Sequence, residues 1–120
     1  MAKVSLKELL ERKEKLLNKK EKTGNVFVKS LEGTIKIKAP TASLAKTAQE
    51  MDDGDAYLVY QCVIDPNLKD TNLQKEFECD EPIEIVEKIF DVGEIPQIAV
   101  EILKLAGYVD GVKLVDDIKN

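Results

Sequence analysis

The stretch "EMDDGDAYLVYQ", residues 50–61, places Glu50, Asp52, Asp53 and Asp55 around a single glycine, Gly54, and turns apolar at once. Its reading decides the fold, because the run "AYLVYQCVI" at 56–64 suits a buried strand or a buried helix by hydropathy alone. The acids in front favour helix. If "DDGD" closes one helix and caps the next, residues 55–64 continue as helix, although Tyr57, Val59 and Val63 carry strand preference. The same acids raise the question of a metal or acid/base site. An EF-hand loop with Gly54 at its sixth position needs acids at the first, third and fifth positions and a glutamate at the twelfth. Those positions hold Gln49, Met51, Asp53 and Tyr60, so the pattern fails everywhere but Asp53. A carboxylate catalyst needs two acids facing one cavity with separated pKa values, whereas consecutive acids on a turn mostly face water. The preferred account is structural: no metal at Asp52, Asp53 and Asp55, Gly54 supplying an unusual backbone angle, and Asp53 or Asp55 capping the following helix.

Upstream, Leu44, Ala45, Ala48 and Met51 mark one helical face, with Thr41 or Ser43 as its cap. Before it, "NVFVKSLEGTIKIKAP" alternates as a β-hairpin with a glycine-bearing turn at Leu31-Glu32-Gly33, closed by Pro40. Its lysines, Lys29, Lys36 and Lys38, keep the ribbon soluble and discourage edge pairing. A lone hairpin is marginal, so it must lie on helices or pair with another chain. At the N-terminus, Ser5-Leu6-Lys7-Glu8 forms a capping box that starts a helix running from Leu6 to Lys20. Leu9/Leu10 and Leu16/Leu17 repeat at seven with Arg12, Lys13, Glu14 and Lys15 between them, a narrow and broken stripe. Gly24 is the expected left-handed cap of that helix.

Downstream, "LKDTNLQKEF" reads as a loop into a short helix. Pro82 opens a helix striped by Ile83, Val86, Ile89 and Phe90, and Pro96 opens another lined by Ile95, Ile98, Ala99, Ile102, Leu103 and Ala106, with Gly107 beyond its end. The two form an αα-hairpin, and Val112, Val115 and Ile118 fit a last turn of helix. The expected core includes Leu44, Ala48, Tyr57, Val63, Val86, Ile89, Ile98, Ile102 and Leu103.

At 120 residues the chain is expected to be one domain: a charged N-terminal helix at 1–22, the hairpin at 25–39 and a helical body at 41–118. The expected class is α+β, a mainly helical single domain with one N-terminal β-hairpin. There is no His, which removes Ser-His-Asp and Cys-His catalysis and His-bearing zinc sites from this chain. Cys62 and Cys79, with no C-x-x-C pair, read as small buried hydrophobes in a reducing compartment. The first residues carry charges throughout, without the apolar core of a signal peptide, so a cytoplasmic protein is expected. Residues 1–38 hold eleven Lys/Arg against five Glu, a net of +6, while 39–120 hold seven against eighteen acids, a net of −11. The basic part has the sign for nucleic acid, but Phe27 is the hairpin's one aromatic, so no stacking platform and no nucleic-acid partner is expected. No glycine loop suits a phosphate and no cofactor is implied.

The order of elements carries more than any motif. "AQEMDDGDAYLVYQCVIDPNLKD", "EPIEIVEKIF" and "GEIPQIAVEILKLAGY" together resemble the XkdN-like family of phage tail assembly chaperones, a likeness extending to the charged first helix and the hairpin. These are packing and capping strings, so no active-site residue carries over. The resemblance implies a non-enzymatic protein of a phage or prophage that binds the tape-measure protein during tail assembly, with tail-tube subunits as a second partner. It also implies a protein of the host cytoplasm that is absent from the finished virion. The alternative is a generic protein-interaction or regulatory adaptor of phage origin. The residues singled out for partner binding are Leu9, Leu10, Leu16, Leu17, Lys29, Lys36 and Lys38.

Overall fold

The computed structural model describes residues 3–18, 22–109, 111–112 and 114–115. The architecture is α+β and mainly helical. The N-terminal helix forms as two short pieces, α1 (Leu6–Glu11) and α2 (Lys13–Leu17), which meet at Arg12. Ser5 caps the first: its hydroxyl accepts the Glu8 N–H at 3.2 Å and donates to the Glu8 carboxylate at 3.3 Å. Neither piece buries a residue. Arg12, Lys13 and Lys15 crowd the junction, and no tertiary packing offsets the break. Lys19 and Lys20, at the expected end of this helix, lie outside the described residues.

The hairpin is present as β1 (Thr23–Val28) and β2 (Gly33–Lys38), antiparallel, with Val26 opposite Ile35. Its turn is a 3-10 segment at Lys29–Leu31, and the residue in the left-handed region is Glu32 at φ 51°, not a glycine. Gly24 is a strand residue paired with Ile37, contrary to its expected role as a helix cap. A Cβ there would sit 3.4 Å from the Leu105 side chain, so the small residue admits that leucine. The hairpin does not stand alone. A third strand, β3 (Val63–Asp65), pairs with β2 and gives the sheet order β1-β2-β3.

That order moves the lysines. Lys36 and Lys38 lie on the central strand, while the edge strand β1 carries no charge between Thr23 and Val28. The expected protection of the edge by lysine therefore falls on the wrong strand. Ala39 donates to the Lys22 carbonyl at 2.9 Å. The alternation of an antiparallel ladder then turns the backbone groups of Thr23, Asn25 and Phe27 away from β2.

Thr41 caps α3 (Ala42–Glu50) by accepting the Leu44 N–H at 3.1 Å. Next comes α4 (Gly54–Cys62), so the opening ambiguity resolves as helix up to Cys62 and strand from Val63. Gly54 is buried at the start of α4, and its importance is steric rather than torsional. A Cβ there would stand 1.9 Å from the Ala48 carbonyl oxygen, a contact with backbone that cannot yield. Glycine lets α4 start directly against the end of α3, and the expectation of an unusual backbone angle is corrected accordingly. Asp53 occupies the cap position of α4, but its side chain makes no capping hydrogen bond.

Asp70 caps α5 (Thr71–Glu76) through the Leu73 N–H at 2.9 Å. Buried Gln74 on this helix donates to the Leu68 carbonyl at 2.9 Å, which satisfies an otherwise costly polar group. A 3-10 turn at Pro82–Glu84 leads into α6 (Ile85–Ile89), with the Glu84 carboxylate accepting the N–H groups of Asp80 and Glu81 at 3.1 Å each. The last helix, α7 (Glu94–Leu105), ends in a Schellman motif: Gly107, at φ 85°, donates to the Lys104 carbonyl at 2.9 Å, and Tyr108 to the Leu103 carbonyl at 3.1 Å. Both α6 and α7 pack chiefly on α4 and little on each other, so the expected αα-hairpin is two helices sharing a third. Val112 and Val115 are not helical, and Ile118 lies outside the described residues.

The core gathers round α4, with α3, α6 and α7 against it, and α7 also packs on β1 and β2. Val59, Cys62, Leu68, Ile85, Val86 and Ile102 are its most enclosed side chains together with Ile37. Of the expected core, Ala48, Val63, Val86, Ile98 and Ile102 are buried, while Leu44, Tyr57, Ile89 and Leu103 are half-buried at its margin. The hairpin adds Val28, Ile35 and Ile37. The Cα radius of gyration is 17.8 Å and the longest dimension 57 Å, against roughly 14 Å expected for the radius of a compact chain of this length. An arm whose described residues are not buried has this effect.

Candidate partner-binding surface

Every described residue of the arm at 3–18 is exposed except Glu8, which is half-buried. Leu10 and Leu17 are 66% and 67% exposed, and Leu9 and Leu16 retain 47% and 38%. Five leucines in water, Leu6 among them, on eleven helical residues is a costly surface to leave bare, and it departs from the usual pattern in which an amphipathic helix lays its apolar stripe on a core. The basic residues Arg12, Lys13 and Lys15 make no ion pair among the described residues.

The hairpin lysines do not form one patch. Lys36 and Lys38 share the outer face of the sheet, opposite Asn25 and Thr23 on β1, with Asp65 of β3 on the other side of Lys36. Lys29 lies in the turn, at the far end of the ribbon. Exposed Phe27 and Ile64 belong to the outer strands beside the two lysines. The exposure of the arm also means that it is not seated on this lysine face.

Two features were not anticipated from the sequence. A groove of about 480 Å³ runs between β1 and α7, lined by Val26, Phe27, Val28, Gln97, Ile98 and Glu101 among others. At its end, Glu94 ties three segments together. Its carboxylate accepts the Ser30 hydroxyl at 2.7 Å, the Ser30 N–H at 3.2 Å and the Asp91 N–H at 3.0 Å. These bonds, the Ser30 hydroxyl first, hold the Glu94 carboxyl below the usual carboxylate range. A sequence signal existed, since a glutamate in the first turn of a helix favours free N–H groups, but its partner is 64 residues away.

The second feature lies behind the opening acidic stretch. A groove of about 270 Å³ is lined by Ala45, Ala48, Gln49, Gly54, Asp55, Leu58, Leu103, Tyr108 and Val109. Small residues form its floor because α3 and α4 approach so closely at Gly54. Of the acids in that stretch Asp55 lines the groove; Glu50, Asp52, Asp53 and Asp55 are all exposed and make no ion pair among the described residues. Among those residues no three acids or cysteines come together as a metal-ligand set.

The cysteines are free thiols. Burial pushes the Cys62 thiol up to about 11, against a smaller lowering by Lys38 and Lys69. A neutral, enclosed thiol packs as a small hydrophobe and is a poor nucleophile.

The described residues thus offer exposed apolar and charged surface, and no assembled set of reacting groups is found among them. A family model of the phage XkdN-like tail assembly chaperone proteins matches residues 36–119, more than half of the chain. The chain belongs to that family. The XkdN-like match runs from the second half of β2 to residue 119 and so takes in Lys36, Lys38, all of α4 and all of α7. The arm, β1 and Lys29 precede it, so four leucines and one lysine of the expected binding residues lie outside the matched span. No curated protein and no solved structure matches the chain. Membership of an assembly-chaperone family points to binding of phage tail proteins and away from catalysis. No helix among the described residues is long and apolar enough to cross a membrane.

Proposed function

We propose that the protein binds a segment of the tape-measure protein during tail assembly in the host cytoplasm, through the leucine stripe of α1 and α2 and the lysine-bearing hairpin, and leaves before the virion is complete. Tail-tube subunits are a second partner of the same kind. The observation that carries this reading is the exposure of Leu9, Leu10, Leu16 and Leu17 on an arm of basic residues. An assembly chaperone must hold an aggregation-prone client and release it. Apolar anchors diluted with charge give contact without permanence, because each leucine contributes only its own buried area while the charges stay hydrated.

The test is co-expression with the tape-measure protein followed by pull-down. Leu9→Glu with Leu16→Glu removes two half-exposed anchors worth about 1 kcal/mol each on further burial, so binding should weaken by about 30-fold or more. Both side chains lie outside the core, so the melting temperature should stay at its wild-type value. Wild-type capture by a normally folded double variant would show that the arm is not the binding surface.

A further inference from the structure

The sheet ends on an open strand. The Lys22 carbonyl pairs with Ala39, so Thr23, Asn25 and Phe27 turn their backbone N–H and C=O groups away from β2. None of these groups finds a hydrogen-bond partner among the described residues. The groove of about 480 Å³ beside them is lined by β1, the turn residue Lys29 and α7, and by no residue of β2, which places it on the open side. The helix lies antiparallel to the strand: Glu94 at its start is bonded to Ser30 just beyond β1, and Leu105 at its end reaches Gly24. Strand and helix are also matched in length, about 20 Å for six extended residues and about 18 Å for twelve helical ones. We propose that this groove takes an extended segment of a partner protein, which joins the sheet as a fourth strand beside β1, with apolar side chains at alternate positions and a lysine or arginine facing Glu101.

In such an addition the ladder supplies main-chain bonds and the groove supplies selectivity. An added strand turns every second side chain towards the groove, where Val26 and Ile98 offer apolar contact. Its other side chains run beside Phe27, which is 64% exposed. The groove is held before anything binds, by the Glu94 carboxylate on Ser30 at one end and by Leu105 against Gly24 at the other, so little ordering remains to oppose binding. Charge selects the occupant. The Glu94 oxygens are taken by Ser30 and Asp91. Glu101 meets Lys104 at 3.4 Å in a solvent-exposed pair, which holds it weakly and leaves it available to a cation. A folded second copy fits badly, because its β1 carries no charge and edge-to-edge pairing would bring two α7 walls, each bearing Glu94 and Glu101, against one another. A helical segment leaves the outward N–H groups unmet. The site lies apart from the leucines of the arm, so the inference does not depend on what the arm binds.

The experiment selects, from a display library of random peptides about ten residues long, those that bind the full chain; that length spans the groove. The expected winners carry apolar residues two apart and a lysine or arginine. A synthetic copy of the strongest should slow hydrogen exchange at the amides of Thr23, Asn25 and Phe27 in the unaltered chain by about ten-fold or more. Asn25→Pro removes one outward donor without touching the bonds to β2, a change that edge strands tolerate, and should weaken the peptide about ten-fold. Glu101→Lys should reverse the preference, so that a peptide with glutamate in place of its basic residue binds this variant better than the original does. If the proline variant does not fold, the exchange rates and the charge swap decide alone. No enriched peptide, anchors spaced three and four apart, or unprotected β1 amides would overturn the proposal. Protection of those amides that grows with protein concentration and needs no peptide overturns it too, since a second copy then occupies the edge. So does binding that is lost with Leu9→Glu and Leu16→Glu but kept with Asn25→Pro, which places the peptide on the arm. Peptide binding that survives the leucine substitutions supports the groove, whichever way the tape-measure pull-down falls.

Discussion

The arm and α4 are both helical and both rich in apolar residues, yet one lies in water and the other at the centre of the core. Leu17 on the arm is 67% exposed, while Val59 on α4 is fully enclosed. The difference lies in what surrounds each. Residues 54–62 are apolar nearly all round, which suits a helix covered by α3, α6, α7 and the sheet. The arm's leucines come in two pairs separated by charge, too narrow a stripe to repay the desolvation of Arg12, Lys13, Glu14 and Lys15 on any surface of its own body. Helicity alone therefore says little about stability here. The body holds the fold and the arm is free for contact.

The sharpest way to break that contrast is truncation on each side. Ile102→Ala, at a fully enclosed site, should cost about 2–5 kcal/mol, whereas Leu17→Ala should change stability by less than about 0.5 kcal/mol. Urea unfolding curves of the two variants measure both, and equal losses would mean that the arm is packed in solution. A second comparison uses two glycines. Gly54→Ala drives a Cβ into the Ala48 carbonyl and should cost about 1–3 kcal/mol, while Gly93→Ala meets nothing within 4 Å and should be close to neutral. Thermal melts read the pair, and a tolerated Gly54→Ala would show that α3 and α4 can part without loss.

Two pH effects are smaller and belong wholly to the body. The Cys62 thiol has a folded pKa near 11 against an ordinary 9.0. The unfolded chain therefore sheds this proton first, and stability contributed by the buried thiol is complete below pH 9.0 and falls as pH rises towards 11. Cys62→Ala should flatten that alkaline decline in denaturation curves, and at neutral pH an alkylating reagent should modify half-buried Cys79 well before Cys62. Glu94 works in the opposite direction. Its carboxyl is held below the usual value, so its contribution is present above pH 4.5 and is lost as pH falls through the lower folded value. Glu94→Gln should remove part of the acid sensitivity of the melt while leaving the arm's properties unchanged.

Much of the fold was legible because its signals are local. Ser5 and Thr41 announce their helices through hydroxyls three residues from their partners, and Gly107 ends α7 where the apolar stripe stops. The alternation of Val26, Val28, Ile35 and Ile37 needs only adjacent residues to read as a hairpin. What escaped is non-local. A three-residue strand such as Val63–Asp65 is too short to show a period and exists because β2 offers it an edge. Gly24 and Gly54 looked like torsional glycines but serve close approach, by Leu105 in one case and the Ala48 carbonyl in the other. No pattern within either segment could reveal those neighbours. For the candidate surface, the leucine stripe was visible as a narrow face, and its exposure was not. The groove beside Asp55 needed α3, α4 and the end of α7 to be placed before it existed at all.

The bare margin of the sheet has a bearing on how the protein behaves in storage. A ladder with one uncharged open side is a template, and a template grows by copying. Concentrated samples should then spoil with a lag, faster when seeded by old material, and in an ordered rather than an amorphous way. The vulnerable span is short, six residues from Thr23 to Val28, and Asn25 at its middle points its side chain to solvent. A lysine in that one place would put a charge in every rung of any such stack, and should prolong shelf life without touching the core.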